Sequence, residues 1–108
     1  MPENYLDKLN QVVDEDVAQI REKDKSYGGS WKKRGGCGAF MMLARKWDRL
    51  ELQAETFSYD IFNAVEADGR KEGIIDDIRD LRRYLLLVEA EVLARQSKQP
   101  ITEPQDAK

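Results

Sequence analysis

The residues best suited to chemistry lie in a glycine-rich stretch at positions 26–38, SYGGSWKKRGGCG, which holds five of the chain's seven glycines. Glycine lets backbone N–H groups approach an anion closely, cations bind phosphate, and aromatic rings stack on bases. We therefore predict a loop that binds a nucleotide. The predicted contacts are Tyr27, Gly28, Gly29, Ser30, Trp31, Lys32, Lys33, Arg34, Gly35 and Gly36, with Arg83 and Tyr84 from a later segment. The alternative is a connecting loop with a solvated basic run.

A second group of candidate residues is acidic. On helical wheels, Asp48 and Glu51 share one flank of a helix, and Asp77 and Asp80 share one flank of a later helix. If the two helices pack together, these four carboxylates form an oxygen-ligand site for Mg²⁺ or Mn²⁺, held jointly with substrate phosphates. The alternative is that the acids balance neighbouring arginines on solvated faces.

The composition excludes several classes of function. There is no histidine, which removes histidine general bases and the commonest zinc ligand. A formal net charge of −3 argues against a protein that binds polymeric nucleic acid, whereas a local basic loop in an acidic chain suggests a small anionic ligand. One cysteine makes no internal disulfide, and no apolar run is long enough to span a bilayer. We expect a cytoplasmic protein that does not contact a membrane.

Helices must position these residues, because apolar side chains recur every three or four positions and no segment alternates like a strand. We predict an all-α bundle of three or four helices in one domain, 1–98, followed by a flexible tail, 99–108. Since so small a domain buries little apolar surface, we also expect it to assemble with itself as a homodimer or a larger oligomer such as a tetramer.

The predicted helices have definite bounds. The first covers about 3–25 and ends at Gly28, the second begins at Ala39, a turn covers 67–73, and the last helix covers about 74–96. The second helix is predicted to break near 55–58, where Thr56 or Ser58 caps a shorter helix that contains Tyr59. Two apolar stripes are predicted to form the packed seams. They are Phe40, Leu43, Trp47, Leu50, Ala54, Phe57 and Ile61, and Ile74, Ile78, Leu81, Leu85, Val88 and Val92.

Two resemblances add to this interpretation. YGGSWKKRGGCGAFMMLARKWDRLE, followed by DDIRDLRRYLLLVEAE, resembles the phage and bacterial family called nucleotide-modification-associated domain 1, over about residues 26–95. That resemblance implies an association with nucleotide chemistry in phage genomes, without a settled activity. More weakly, Asp48-x-x-Glu51 and Asp77-x-x-Asp80 are similar to the paired acids of the MazG-like all-α nucleotide pyrophosphatases. Two of the glutamates expected there are aspartates, each shorter by one methylene.

Three functions follow as hypotheses. In the first, the protein binds a nucleotide, such as a cyclic dinucleotide signal of host defence, and sequesters it without hydrolysis or a cofactor. In the second, it is a Mg²⁺-dependent nucleotide pyrophosphatase whose metal is held by Asp48, Glu51, Asp77 and Asp80. In the third, it is a helical accessory protein of a nucleotide-modifying enzyme. The imperfect acidic pattern and the concentration of donors and aromatic rings in one loop favour the first.

Overall fold

The computed structural model describes residues 4–70 and 73–98, and every regular element in these ranges is helical. Helix α1 spans Tyr5–Tyr27, a 3₁₀ turn spans Ser30–Lys32, α2 spans Gly35–Glu55, α3 spans Ile61–Ala67 and α4 spans Ile74–Lys98. The predicted all-α class is confirmed. The predicted tail lies outside the described residues. Among the described helices, none has the length and apolar character needed to cross a membrane.

Helix α1 is closed at both ends by local hydrogen bonds. The Asn4 side chain accepts from the N–H groups of Leu6 (2.8 Å) and Asp7 (3.2 Å), and the Asp7 carboxylate accepts from the Asn4 N–H. This reciprocal pattern satisfies donors that the first turn leaves open. At the other end, Gly28 adopts a φ of 59° and its N–H donates to the Asp24 carbonyl at 2.8 Å. The predicted glycine terminator is confirmed.

Helix α2 begins four residues earlier than predicted, at Gly35 rather than Ala39. The prediction was wrong because low helix propensity was applied to glycines that form the first turn, where N–H groups need no partner within the helix. Two of these glycines meet real constraints. Gly35 has a φ of +79°, which side chains rarely adopt, and a Cβ on Gly38 would lie 2.7 Å from the Arg34 Cβ.

Helices α2 and α4 form the centre of the bundle. They run antiparallel, since Lys46 pairs with Asp80 (3.0 Å) while Arg49, further along α2, pairs with Asp77 (3.2 Å), earlier in α4. Helix α3 contacts both of them. The buried apolar side chains of the described residues are mostly small, which allows the helix backbones to approach one another. They are Ala39, Ala54, Ala64 and Ile74.

The predicted seams are confirmed in part. Ala54 and Ile74, one from each seam, are buried, and most other members are half-buried. Four positions were wrong, because Phe40 and Trp47 are 64% and 52% exposed, and Leu85 and Val92 are also about half exposed. The contact between α2 and α4 instead includes charged side chains such as Lys46. A stripe defined by apolar residues alone therefore misses part of the face that packs.

The predicted break after α2 is confirmed, but its chemistry differs. Asp60 caps α3 by accepting from the Asn63 N–H at 3.1 Å, so the predicted caps Thr56 and Ser58 are wrong. Ser58 and Tyr59 instead form the turn, with φ angles of 54° and 66°. Tyr59 therefore lies outside the short helix.

The start of α4 is held by Asp68. Its carboxylate accepts from the Ile74 N–H at 2.6 Å and from the Arg70 Nε at 2.9 Å. The hydrogen bond from Arg70, with those from the Ile74 and Arg70 backbones, holds the pKa of Asp68 well below its usual range. A Cβ on Gly73 would overlap this carboxylate, so a larger residue there would displace the Asp68 side chain.

Candidate functional site

A cleft of about 400 Å³ opens between the C-terminal half of α1, the 3₁₀ turn, α2 and α4. Its wall combines aromatic rings, cations and two carboxylates. The lining residues are Gln19, Ile20, Lys23, Asp24, Tyr27, Gly28, Ser30, Trp31, Met42, Lys46, Asp80, Arg83, Tyr84 and Leu87. Six of the residues predicted to bind a nucleotide are among them: Tyr27, Gly28, Ser30, Trp31, Arg83 and Tyr84.

Three aromatic side chains reach the cleft from three elements. Tyr27 ends α1 and is largely exposed, whereas Trp31 in the 3₁₀ turn and Tyr84 on α4 are half-buried. Gly28 turns the chain sharply between the first two rings. Half-buried rings are held by their neighbours while a face stays accessible, which suits stacking on a base.

Helices α1 and α4 are joined by one buried acid and two cations. Asp16 is 1% exposed and accepts from Arg82 Nε, from Arg82 Nη2 at 2.8 Å and from Arg83 Nε at 2.7 Å. The hydrogen bond from Arg82 is the main cause of a lowered pKa of Asp16, and it raises the pKa of Arg82. Asp16 is therefore ionised and pairs with both cations beside the cleft, and the charge of Glu15 also acts on Arg82.

The four predicted metal ligands are divided between two environments. Asp77 and Asp80 face α2, where Arg49 and Lys46 meet them, while Asp48 and Glu51 are exposed on α2. No group of three or more Asp, Glu or Cys side chains in the described residues stands close enough to hold a metal ion. Asp77 is 2% exposed, and its Oδ2 has no hydrogen-bond partner among the described residues.

The cations of the predicted loop, Lys32, Lys33 and Arg34, also lie in different environments. Lys32 Nζ contacts Glu91 at 2.7 Å, and Arg95 contacts the same carboxylate at 2.8 Å. The hydrogen bonds from Lys32 and then Arg95 lower the pKa of Glu91 to about 2. Lys32 lies with Gly35 and Gly36 beside a second groove, of about 280 Å³, between the start of α2 and the end of α4.

The remaining predicted residues line neither opening. Gly29 lies in the turn after α1, and Lys33 and Arg34 are exposed just before α2. The predicted loop is thus divided between two openings that share Trp31, because the 3₁₀ turn rotates successive side chains away from each other.

Of the α1 residues that line the cleft, sequence reasoning found only Tyr27. Ile20, Lys23, Asp24 and Tyr27 recur at spacings of three or four, so they share one helix face that leads into the glycine-rich stretch. That spacing was a usable signal. Lys46 gave no comparable signal, because it is one of several cations on α2.

Comparison of the chain with protein-family models, with curated proteins and with solved structures gives no match. The two family resemblances therefore remain predictions.

Proposed function

We propose that this protein binds a phosphate-containing nucleotide in the cleft between α1, the 3₁₀ turn, α2 and α4. One observation carries the proposal. Residues predicted to contact a nucleotide come from two distant segments and line the same cleft: Tyr27, Gly28, Ser30 and Trp31 from the first, and Arg83 and Tyr84 from the second. These segments are about fifty residues apart in the chain, and only the fold brings them to the same cleft. Their proximity therefore supports a binding site independently of their composition.

The chemistry of the wall suits the two ends of a nucleotide. Trp31 and Tyr84 offer ring faces for a base, and Lys23 and Arg83 offer cations for phosphate. The Ser30 hydroxyl adds a donor beside them. A volume of about 400 Å³ is at the lower end of the range for ligand pockets, which fits a mononucleotide or one half of a dinucleotide.

Binding without hydrolysis is the favoured version of this function. Asp77 and Asp80 already pair with Arg49 and Lys46, and a carboxylate neutralised by a cation is a weak ligand for Mg²⁺. We therefore propose a cytoplasmic protein that sequesters its nucleotide, with a cyclic dinucleotide signal as the leading candidate and self-association as part of its working form.

The test uses the purified full chain. It is incubated with nucleoside triphosphates and cyclic dinucleotides, with Mg²⁺ or with EDTA, then denatured, and the nucleotides are separated by chromatography. Intact nucleotide recovered only after denaturation supports sequestration. Turnover that disappears in Asp77→Asn or Glu51→Gln would support the pyrophosphatase hypothesis instead.

The two tryptophans provide a matched pair of variants. Trp31 lines the cleft, whereas Trp47 is half exposed on α2 and does not line it. Loss of one stacked ring costs about 1–3 kcal/mol, so Trp31→Ala should weaken nucleotide binding about five- to 150-fold. Trp47→Ala should bind like the wild type. Equal affinities of the two variants would contradict the assigned site.

A further inference from the structure

The ion pairs between α1 and α4 are not symmetric. Arg82 donates to Asp16 from both Nε and Nη2, whereas Arg83 donates from Nε alone, at 2.7 Å. The Nη atoms of Arg83 make no hydrogen bond with the described residues. Arg83 also lines the cleft and Arg82 does not. Arg83 therefore keeps its two terminal donor groups for a ligand.

We propose that Asp16 is a positioning residue that holds the Arg83 side chain so that its terminal nitrogens face a phosphate bound in the cleft. The inference rests on the proposed function, because it assigns a role within the same site. A free arginine side chain loses much rotamer freedom when it binds phosphate. A guanidinium already fixed through Nε retains a planar pair of donors and loses less of that freedom on binding.

The burial of Arg83 supports a ligand role beyond packing. The Arg83 side chain is only 17% exposed, which limits the screening of its charge by solvent. Its bond to Asp16 uses Nε alone, so the terminal nitrogens can still donate to an anion in the cleft.

The experiment measures the affinity of the full chain for inorganic pyrophosphate by calorimetry. This probe has no base, so it reports the cations alone. A charge-assisted hydrogen bond contributes enough that Arg83→Gln should weaken binding about ten- to 100-fold. Asp16→Asn should weaken it to a similar degree, and the double variant should be no weaker than Arg83→Gln. Arg82→Gln is the matched control and should stay within about threefold of the wild type, because the bond between Asp16 and Arg83 remains.

The double variant separates positioning from packing. If Asp16 only holds α1 against α4, its loss weakens binding in the Arg83→Gln chain as well, and additive losses overturn the proposal. Wild-type affinity in Asp16→Asn also overturns it. If that variant does not fold, as judged by circular dichroism, Asp16→Glu retains the charge but moves it by one methylene. Weakened binding by folded Asp16→Glu supports the proposal, and wild-type affinity overturns it.

The two proposals fail in different ways. If Arg83→Gln weakens pyrophosphate binding and Asp16→Asn does not, the positioning role is wrong and the phosphate site stands. If the wild type binds neither pyrophosphate nor any tested nucleotide, the proposed function is wrong and the positioning role falls with it.

Discussion

Two adjacent isoleucines at the start of α4 allow a sharp test of where the bundle is packed. Ile74 is 2% exposed, while Ile75 is 42% exposed. Both are isoleucines in the first turn of the same helix, so helix propensity and local sequence are nearly matched. Replacing each with alanine isolates the contribution of burial.

The two substitutions should lower the free energy of unfolding by clearly different amounts. Truncation of a buried isoleucine to alanine destabilises a fold by about 2–5 kcal/mol, because apolar contact is lost and a cavity remains. Ile74 is the only large apolar side chain among the fully buried residues of the described chain, so we expect its cost to fall within that range. The Ile75 side chain is little more than half buried, so Ile75→Ala removes less buried apolar surface, and alanine is the better helix former. Ile75→Ala should therefore lower the free energy of unfolding by about 1 kcal/mol or less.

The assay is urea unfolding followed by circular dichroism at one fixed protein concentration. For a domain of this size, Ile74→Ala should also lower Tm by at least about 8 °C, with a smaller shift for Ile75→Ala. A loss in Ile75→Ala equal to that in Ile74→Ala would refute the assignment of Ile74 to the core. The result also bears on the cleft, since α4 carries Arg83 and Tyr84 into it.

Three further predictions follow from local features. Gly35→Ala should destabilise the fold by about 1 kcal/mol or more in a urea titration, because Gly35 has a positive φ. Gly36→Ala should be neutral or stabilising, because a Cβ at Gly36 meets open space. The reverse order of stabilities would contradict the observed start of α2. The pKa of Glu91 is lowered to about 2, so its carboxylate adds stability that is present above its ordinary pKa and lost as pH decreases from about 4.5 towards 2. A Glu91→Gln chain should lack this part of the acid transition when its Tm is measured against pH. A pH profile identical to that of the wild type would argue against the Lys32 contact. Val13 is about half exposed on an apolar face of α1. If that face lies between protomers, Val13→Asp should reduce the mass measured by light scattering. An unchanged mass would exclude this face from the contact between protomers.

The class of the fold was predictable from sequence because helical periodicity depends on spacing alone. The break before α3 was also predictable, but its cap was not, since Thr56, Ser58 and Asp60 all carry a suitable oxygen. The packed faces of α2 and α4 were predictable from apolar residues only in part: Ala54 and Ile74 are buried, but charged pairs such as Lys46 with Asp80 occupy part of the contact. Those pairs form only between helices, and no local pattern specifies them.

The candidate site was predictable in part for a related reason. Tyr27 and Trp31 stood out by their size among glycines, and both line the cleft. Asp16 was missed because one acid among many on α1 gives no local signal, yet in the fold it is the acid that two arginines share. Partners that are 66 and 67 residues away along the chain become visible only in three dimensions.

The charges on α4 also bear on how the chain selects one arrangement of helices. Towards α2, this helix presents the acids Asp77 and Asp80, and towards α1 it presents the bases Arg82 and Arg83. Net stabilisation from such pairs is small, but exchanging the two neighbours would bring like charges together. The charges thus distinguish the two sides of α4 and favour the observed arrangement over the exchanged one.

This difference in charge between the two sides of α4 has a measurable consequence. The double change Lys46→Asp with Asp80→Lys keeps that pair complementary but makes the two sides of α4 more alike. A second set of amide NMR signals would then report a second helix arrangement, while a single set would show that the apolar contacts alone define the order. In the first outcome, the charged pairs on α4 determine which of its two sides packs against α1 and which against α2.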